Sequence, residues 1–208
     1  LSSDDYGGAE DSDRAQTRAN RAAIDFAAGM AAEFELGDEA FTRSGKTNAA
    51  ATEKGDRHNR DYAAHLDRMG EAHAWLDAAQ MHEMTGTGYY SSGVHTPGTA
   101  MIQPALFVRG VAAGLASNRV RIHEDSPVVR LARHGDWVAE TPTGRVTAPR
   151  VILAVNGHAE SFGHFRGRLL HVFTYASMTR ALTGDEVRRL GGQPRWGVTP
   201  ADPMGTTV

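Results

Sequence analysis

The sequence predicts a mixed α/β protein, and three patterns predict it. Ala15, Ala19, Ala22, Phe26, Met30 and Phe34 recur at three- and four-residue steps, the spacing of one apolar face of a helix. Between 127 and 148, three short runs, PVVRLAR, WVAET and RVTA, are separated by HGD and PTG. Each separator holds a turn-forming glycine, so the runs predict an antiparallel meander. Residues 151–155, VILAV, form an unbroken apolar run that leads into Asn156 and Gly157. Such a run suits a strand buried on both faces, whose carboxyl end is where ligands gather in a parallel sheet.

Taken in order, the chain opens on a loop-like stretch, LSSDDYGGAEDSD. Ser12 or Asp13 is placed to cap the first helix and Gly37 to end it. AFTRSGK then predicts a short strand and a turn. A second helical region covers about 59–84, with Tyr62, Leu66 and Met69 on one face and a break at Gly70 or within WLDAA. Asp77 and Gln80 have the capping-box spacing of a short helix that ends near Gly86. TGTGYYSSGVHTPGT, residues 85–99, predicts loops around a short strand. Pro104–Leu115 predicts a helix with Phe107, Val108, Val111 and Leu115 apolar and proline in its first turn. RVRIHE precedes the meander as a strand, and VILAV follows it as another. RLLHVFTYASMTRAL predicts a further strand with alternation at Leu170 and Val172. TGDEVRRLGG predicts a short helix capped by Thr183 and ended by Gly191. Thr206, Thr207 and Val208 look like the start of a strand without a partner.

Composition narrows the function classes. The 208 residues suffice for one large domain or two small ones. A net charge of −3 offers no electrostatic case for nucleic acid or an anionic membrane surface. With no cysteine, disulfides, thiolate catalysis and Cys-type zinc sites are excluded, and a reducing, cytoplasmic setting is expected. No apolar run approaches the roughly 20 residues of a membrane helix. No signal-peptide pattern is seen. The two ends read as interior to a longer protein, so N- and C-terminal segments of the same protein are expected partners; trimmed disordered ends are the alternative.

Several motifs fall short. SGKT at 44–47 ends like a phosphate-binding loop, but Ala40 stands where its first glycine belongs, so a plain turn is expected. Ten histidines are present, yet His58 and His65 are seven apart, and His73, Asp77 and His82 span the helix break. No H-E-x-x-H occurs, and no metal site is expected. There is no G-x-S-x-G elbow. Asn156 and Gly157 have two readings: a tight turn with positive φ, or a point where backbone comes close to a cofactor.

The order helix, strand, three-stranded excursion, strand is the layout that completes the FAD-binding sheet of two-domain flavoproteins, although a plain α/β sheet fits the same pattern. Sequence detail goes further. IQPALFVRGVAAGL, EDSPVVRLARHGDWVAETPTGRVTAPRVILAVNGHAESFG and LLHVFTYASMTRAL together resemble the FAD-dependent D-amino-acid oxidase/glycine oxidase superfamily. Within it they are most similar to the branch of gamma-glutamylputrescine oxidase and related amine oxidoreductases. GKTNAAATEKG, LDAAQMHEMTGTGYY and WGVTPADPMGTTV agree with that branch, so the resemblance runs from Phe41 onward. One departure is large: the family's G-x-G-x-x-G turn is absent from the sequence. The nearest stretch, GTGYYS, has Ser91 where the third glycine belongs.

The resemblance implies a partial FAD-binding sheet with its three-stranded meander, plus part of an antiparallel-sheet substrate domain. It divides the chain into helical and substrate-domain segments at 1–98, part of the FAD-binding domain at 99–160, and a substrate-domain sheet segment at 161–208. It implies FAD as cofactor, a small-molecule amine or amino-acid substrate, and oxidation of a C–N bond by hydride transfer to the flavin. Val128 matches the position whose backbone meets the adenine end of FAD. Ala154, Asn156 and Gly157 match the strand end that passes close to the cofactor. His95, Gln103, Tyr175, Trp196 and Thr199 lie on segments expected near the substrate, with structural packing as the competing role of each. No catalytic acid or base is expected from any motif, because the flavin carries the hard chemistry. The alternatives are a non-catalytic binding or structural domain of the same descent, and nucleotide binding through SGKT.

Overall fold

The computed structural model describes residues 10–117, 119–202 and 205–208. They divide into two compact units: those up to Ala116 together with those from Ala181 on, and those from Ser117 to Arg180. The fold is mixed α/β, as the sequence predicts.

The first unit begins with α1 (Glu10–Glu33), α2 (Gly37–Ala40), β1 (Phe41–Thr42), β2 (Lys46–Ala50) and α3 (Glu53–Met69). It continues with β3 (Ala74–Asp77), α4 (Ala78–Thr85), β4 (Ser92–Thr96), β5 (Met101–Ile102) and α5 (Pro104–Leu115). The second unit holds β6 (Arg130–His134), β7 (Asp136–Thr141), β8 (Gly144–Ala148) and a 3₁₀ helix, Asn156–Phe162. The chain then returns to the first unit with α6 (Gly184–Leu190) and β9 (Val198–Pro200).

A four-stranded sheet of order β3-β4-β2-β9 centres the first unit. Its first three strands pair antiparallel, and β9 runs parallel to β2, with Asn48 opposite Thr199. Side chains alternate across it. Ala49 and Val198 pack with Met81 and Met84 of α4, joined by Leu76, Tyr90 and Trp196. The neighbouring register position sends Val94 to the other face, against Tyr62 and Leu66 of α3 and beside Trp75. The Tyr62, Leu66, Met69 face expected of the second helix is thus the buried one. Burial pushes the Tyr62 phenol up to about 12, with the Glu71 carboxylate adding to the effect.

Helix ends follow the chemistry of their caps. The Thr52 hydroxyl accepts from Gly55 N at 3.1 Å to start α3, and Gly70 at φ +70° ends it. Asp77 and Gln80 exchange hydrogen bonds of 2.9 Å each, forming the expected capping box of α4, which Gly86 terminates. Thr183 and Glu186 do the same for α6 before Gly191. SGKT is a turn: Gly45 takes φ +71°, and Lys46 and Thr47 begin β2. A phosphate loop would lead into a helix N-terminus, and this segment enters a strand.

Three expectations are corrected. The first helix buries a different face from the apolar stripe: Asp13 and Thr17 are its buried residues, while Phe26 is 71% exposed. Polar partners on α3 select that face. Asp13 Oδ2 lies 3.1 Å from His65 Nε2, both side chains being buried. The Arg14 guanidinium donates to Met69 O at 2.8 Å and Arg68 O at 3.0 Å, two of the carbonyls that the end of α3 leaves open. Because α1 starts at Glu10, Ser12 and Asp13 lie inside it and do not cap it. Secondly, RVRIHE, VILAV and the 168–182 segment form no strands. Among the described residues no strand runs alongside them, and an apolar run without a partner for its backbone N–H and C=O groups cannot become a ladder. Ile152 and Leu170 accordingly stand 91% and 90% exposed. Thirdly, Val208 does have a partner: it exchanges backbone hydrogen bonds of 2.7 and 2.9 Å with Val198.

In the second unit the meander forms as predicted, β6-β7-β8, with Gly135 at φ +77° in its first turn. Arg133 lies over the Trp137 ring, 5.8 Å from its centroid, across the first pair.

Candidate functional site

The chain after the meander crosses residues 151–155 and enters the 3₁₀ helix at Asn156. Asn156 sits at φ +51°, a left-handed conformation that asparagine tolerates better than most residues. Gly157 follows because space is short: a Cβ there would stand 3.0 Å from His171 Cε1. The helix ends at Gly163, φ +86°, whose N–H reaches the carbonyls of Ala159 and Glu160.

Glu160 organises the turn beyond. Its Oε1 accepts from Gly167 N at 3.1 Å, and its Oε2 lies 3.3 Å from His171 Nε2. Asn156, Gly157, Glu160, Phe165, His171 and Phe173 line a cavity of about 960 Å³. It is an open depression: Phe165, Leu170, Val172 and Phe173 of its apolar walls are largely exposed, and Asn156, His158, Glu160, Ser161 and His171 are its polar members. Ala154 is exposed on the extended segment that leads to it. Val128 lies in the same unit on another segment, ahead of β6, where Val129 N continues the ladder to Glu140 O at 2.8 Å.

The substrate-side candidates divide between the units. Tyr175 is 98% exposed in the second. In the first, His95 on β4 sets its Nδ1 3.1 Å from Thr47 Oγ1, and burial lowers its pKa below the usual histidine value. Trp196 packs on the Ala49, Met81, Met84, Val198 cluster. The Thr199 hydroxyl donates to Asn48 Oδ1 at 2.9 Å. The Gln103 side chain caps α5, accepting from Leu106 N at 2.7 Å.

Glu160 and His171 were not singled out by sequence; they are eleven positions apart and carry no motif. Asn48 was missed as well. It is fully buried on β2, its backbone carbonyl accepts from Asn59 Nδ2 at 3.0 Å, and no motif in the KTNAA run marks it. Among the described residues no helix is long and apolar enough to cross a membrane.

A profile of the DAO family, described as FAD dependent oxidoreductase, matches residues 5–207. The chain belongs to the DAO family of FAD-dependent oxidoreductases. It is 30% identical over 105 residues to a probable oxidoreductase, OrdL, of Rhizobium meliloti (strain 1021), an alignment covering 48% of this chain and 24% of that protein. Among solved structures it is similar to glycine oxidase from Geobacillus kaustophilus, at 21% identity and a TM-score of 0.60, covering 73% of this chain and 41% of that one. Glycine oxidase from Bacillus cereus ATCC 14579 matches at 17% identity and a TM-score of 0.61, covering 73% and 43%. At these identities the likeness is one of fold. The chain thus spans a quarter of the curated relative's length and about two fifths of the two glycine oxidases, 24%, 41% and 43%.

FAD is the cofactor of the DAO family. Asn156 and Gly157 border the depression after the meander, and the space beside the Gly157 Cα is taken by the His171 ring. The sequence contains no G-x-G-x-x-G to hold a pyrophosphate at a helix N-terminus.

Proposed function

We propose that the protein carrying this chain oxidises the C–N bond of a small amine or amino acid, in the manner of gamma-glutamylputrescine oxidase and related amine oxidoreductases, and works in the cytoplasm. The observation that carries this reading is the DAO family match over residues 5–207. FAD, when bound, supplies the two-electron acceptor: hydride leaves the carbon bearing nitrogen, a proton leaves nitrogen, and water hydrolyses the imine to a carbonyl compound and ammonia or an amine.

The chain's own residues bind and orient. The Asn156 and Gly157 backbone, with Ala154 before it, faces the cofactor, and the backbone at Val128 meets its adenine end. His95, whose Nδ1 lies beside the Thr47 hydroxyl, belongs to the proposed substrate side. Gln103, Trp196 and Thr199 of the first unit, and separately Tyr175 of the second, are the other residues proposed for substrate contact.

The test is spectroscopic. Purified full-length protein is expected to show flavin absorbance that bleaches anaerobically on adding an amine substrate. Bleaching by primary or secondary amines but not by free α-amino acids supports the amine branch, and the opposite result points to amino-acid oxidation. A colourless full-length protein that takes up no FAD overturns the proposal.

A further inference from the structure

We propose that His171 is a positioning residue for the Asn156 and Gly157 backbone, and that Glu160 holds it in place. The inference rests on the reading of that turn as cofactor-facing.

Gly157 stands close against His171. A Cβ there would meet three ring atoms of one side chain, His171 Cε1 at 3.0 Å and Nδ1 and Nε2 at 3.4 Å each. The imidazole therefore fills the place where a side chain would be, and it limits how far the Gly157 backbone can swing away from the cavity. His171 needs a restraint of its own, because residues 168–182 belong to no ladder. The His171 side chain is 46% exposed, and its neighbours Val172 and Phe173 are 76% and 81% exposed. The restraint is Glu160, whose Oε2 lies 3.3 Å from His171 Nε2. Glu160 is itself fixed twice, by its place on the 3₁₀ helix and by the Gly167 N–H that its Oε1 accepts. One carboxylate thus joins the helix, the turn after it and the histidine, and all three border the same cavity. A backbone contact is only as well placed as the residues behind it.

The experiment uses full-length apo-protein titrated with FAD, followed by flavin absorbance and fluorescence. His171→Ala is expected to raise the Kd for FAD about tenfold, the loss typical of removing a support behind a binding group, and to shift the bound flavin's absorption bands. His171→Gln, which can still donate to Glu160, restores both. Glu160→Ala reproduces the loss, and the double alanine variant is no weaker than the worse single one, since the two side chains act as a unit. Unchanged affinity and spectrum in His171→Ala, or losses that add in the double variant, overturn the proposal. If wild-type protein binds no FAD, the cofactor reading falls with it; if wild type binds FAD and the variants bind equally well, only the positioning role is lost.

Discussion

Gly192 sits at φ +78°, and a Cβ there would stand 2.7 Å from Thr85 C, 2.8 Å from Gly86 N and 2.9 Å from Met84 O. Those are backbone atoms at the end of α4, and Gln193 N donates to the same Met84 carbonyl at 2.8 Å. They cannot turn aside as a flexible side chain would. Gly192→Ala is expected to cost about 3 kcal/mol, combining the left-handed penalty with overpacking. Gly135 offers the control, with φ +77° and nothing near its Cβ position. Gly135→Ala should lose about 1 kcal/mol, the conformational part alone. Urea unfolding of both variants measures the difference, and equal losses would show that the crossing at Gly86 and Gly192 is slack. The sequence marks Gly86 and Gly191 as helix ends, because a helix stop is local chemistry. That two such ends press on each other is a contact between distant residues and leaves no local trace.

At the scale of elements, α1 shows how a polar contact can outrank an apolar stripe. Its buried residues are Asp13 and Thr17, and Asp13 meets His65 inside the interface with α3. Asp13→Ala strips His65 of its carboxylate in a buried setting and is expected to cost about 3 kcal/mol. Hydrogen exchange should then show the α1 amides opening before those of α3. Phe26→Ser should change stability by less than about 0.5 kcal/mol, as is usual for an exposed position. The reverse ranking of these two variants would restore the stripe as the packing face. The periodicity of 15–34 reveals a helix but not its orientation, which His65 and the carbonyls of Arg68 and Met69 decide from elsewhere in the chain. Capping boxes, the α3 face, α5 and the meander are legible because each is written within a few residues. The strands expected at 119–124, 151–155 and 168–182 needed partners, and pairing is not local. The candidate site divides the same way: Asn156 and Gly157 stand out at the end of an apolar run, whereas Glu160 and His171 gain meaning only once the turn brings them together.

For the whole molecule, the distribution of apolar surface is uneven. The first unit buries Tyr62, Met81, Val94 and Val198 almost completely. The second leaves Ile152, Leu170, Val172, Phe173, Tyr175 and Met178 largely in water. Exposed apolar surface of this kind marks a place for another surface to cover. The 208-residue chain is therefore expected to enhance the fluorescence of a hydrophobic dye strongly and to associate as its concentration rises. Sedimentation as a single monomer at every concentration, with no dye binding, would contradict this.

The parallel pairing of β2 with β9 also sets a clock. Thr199 and Asn48, joined across the sheet, are separated by 151 positions in the chain. At the pace of ribosomal synthesis, β2 waits roughly 8 to 30 s before its partner emerges. During that interval Asn48 Oδ1 lacks the hydroxyl that will donate to it, and one side of β2 is an open edge. The sheet can be started early in translation, but it is finished only once Val198–Pro200 has emerged.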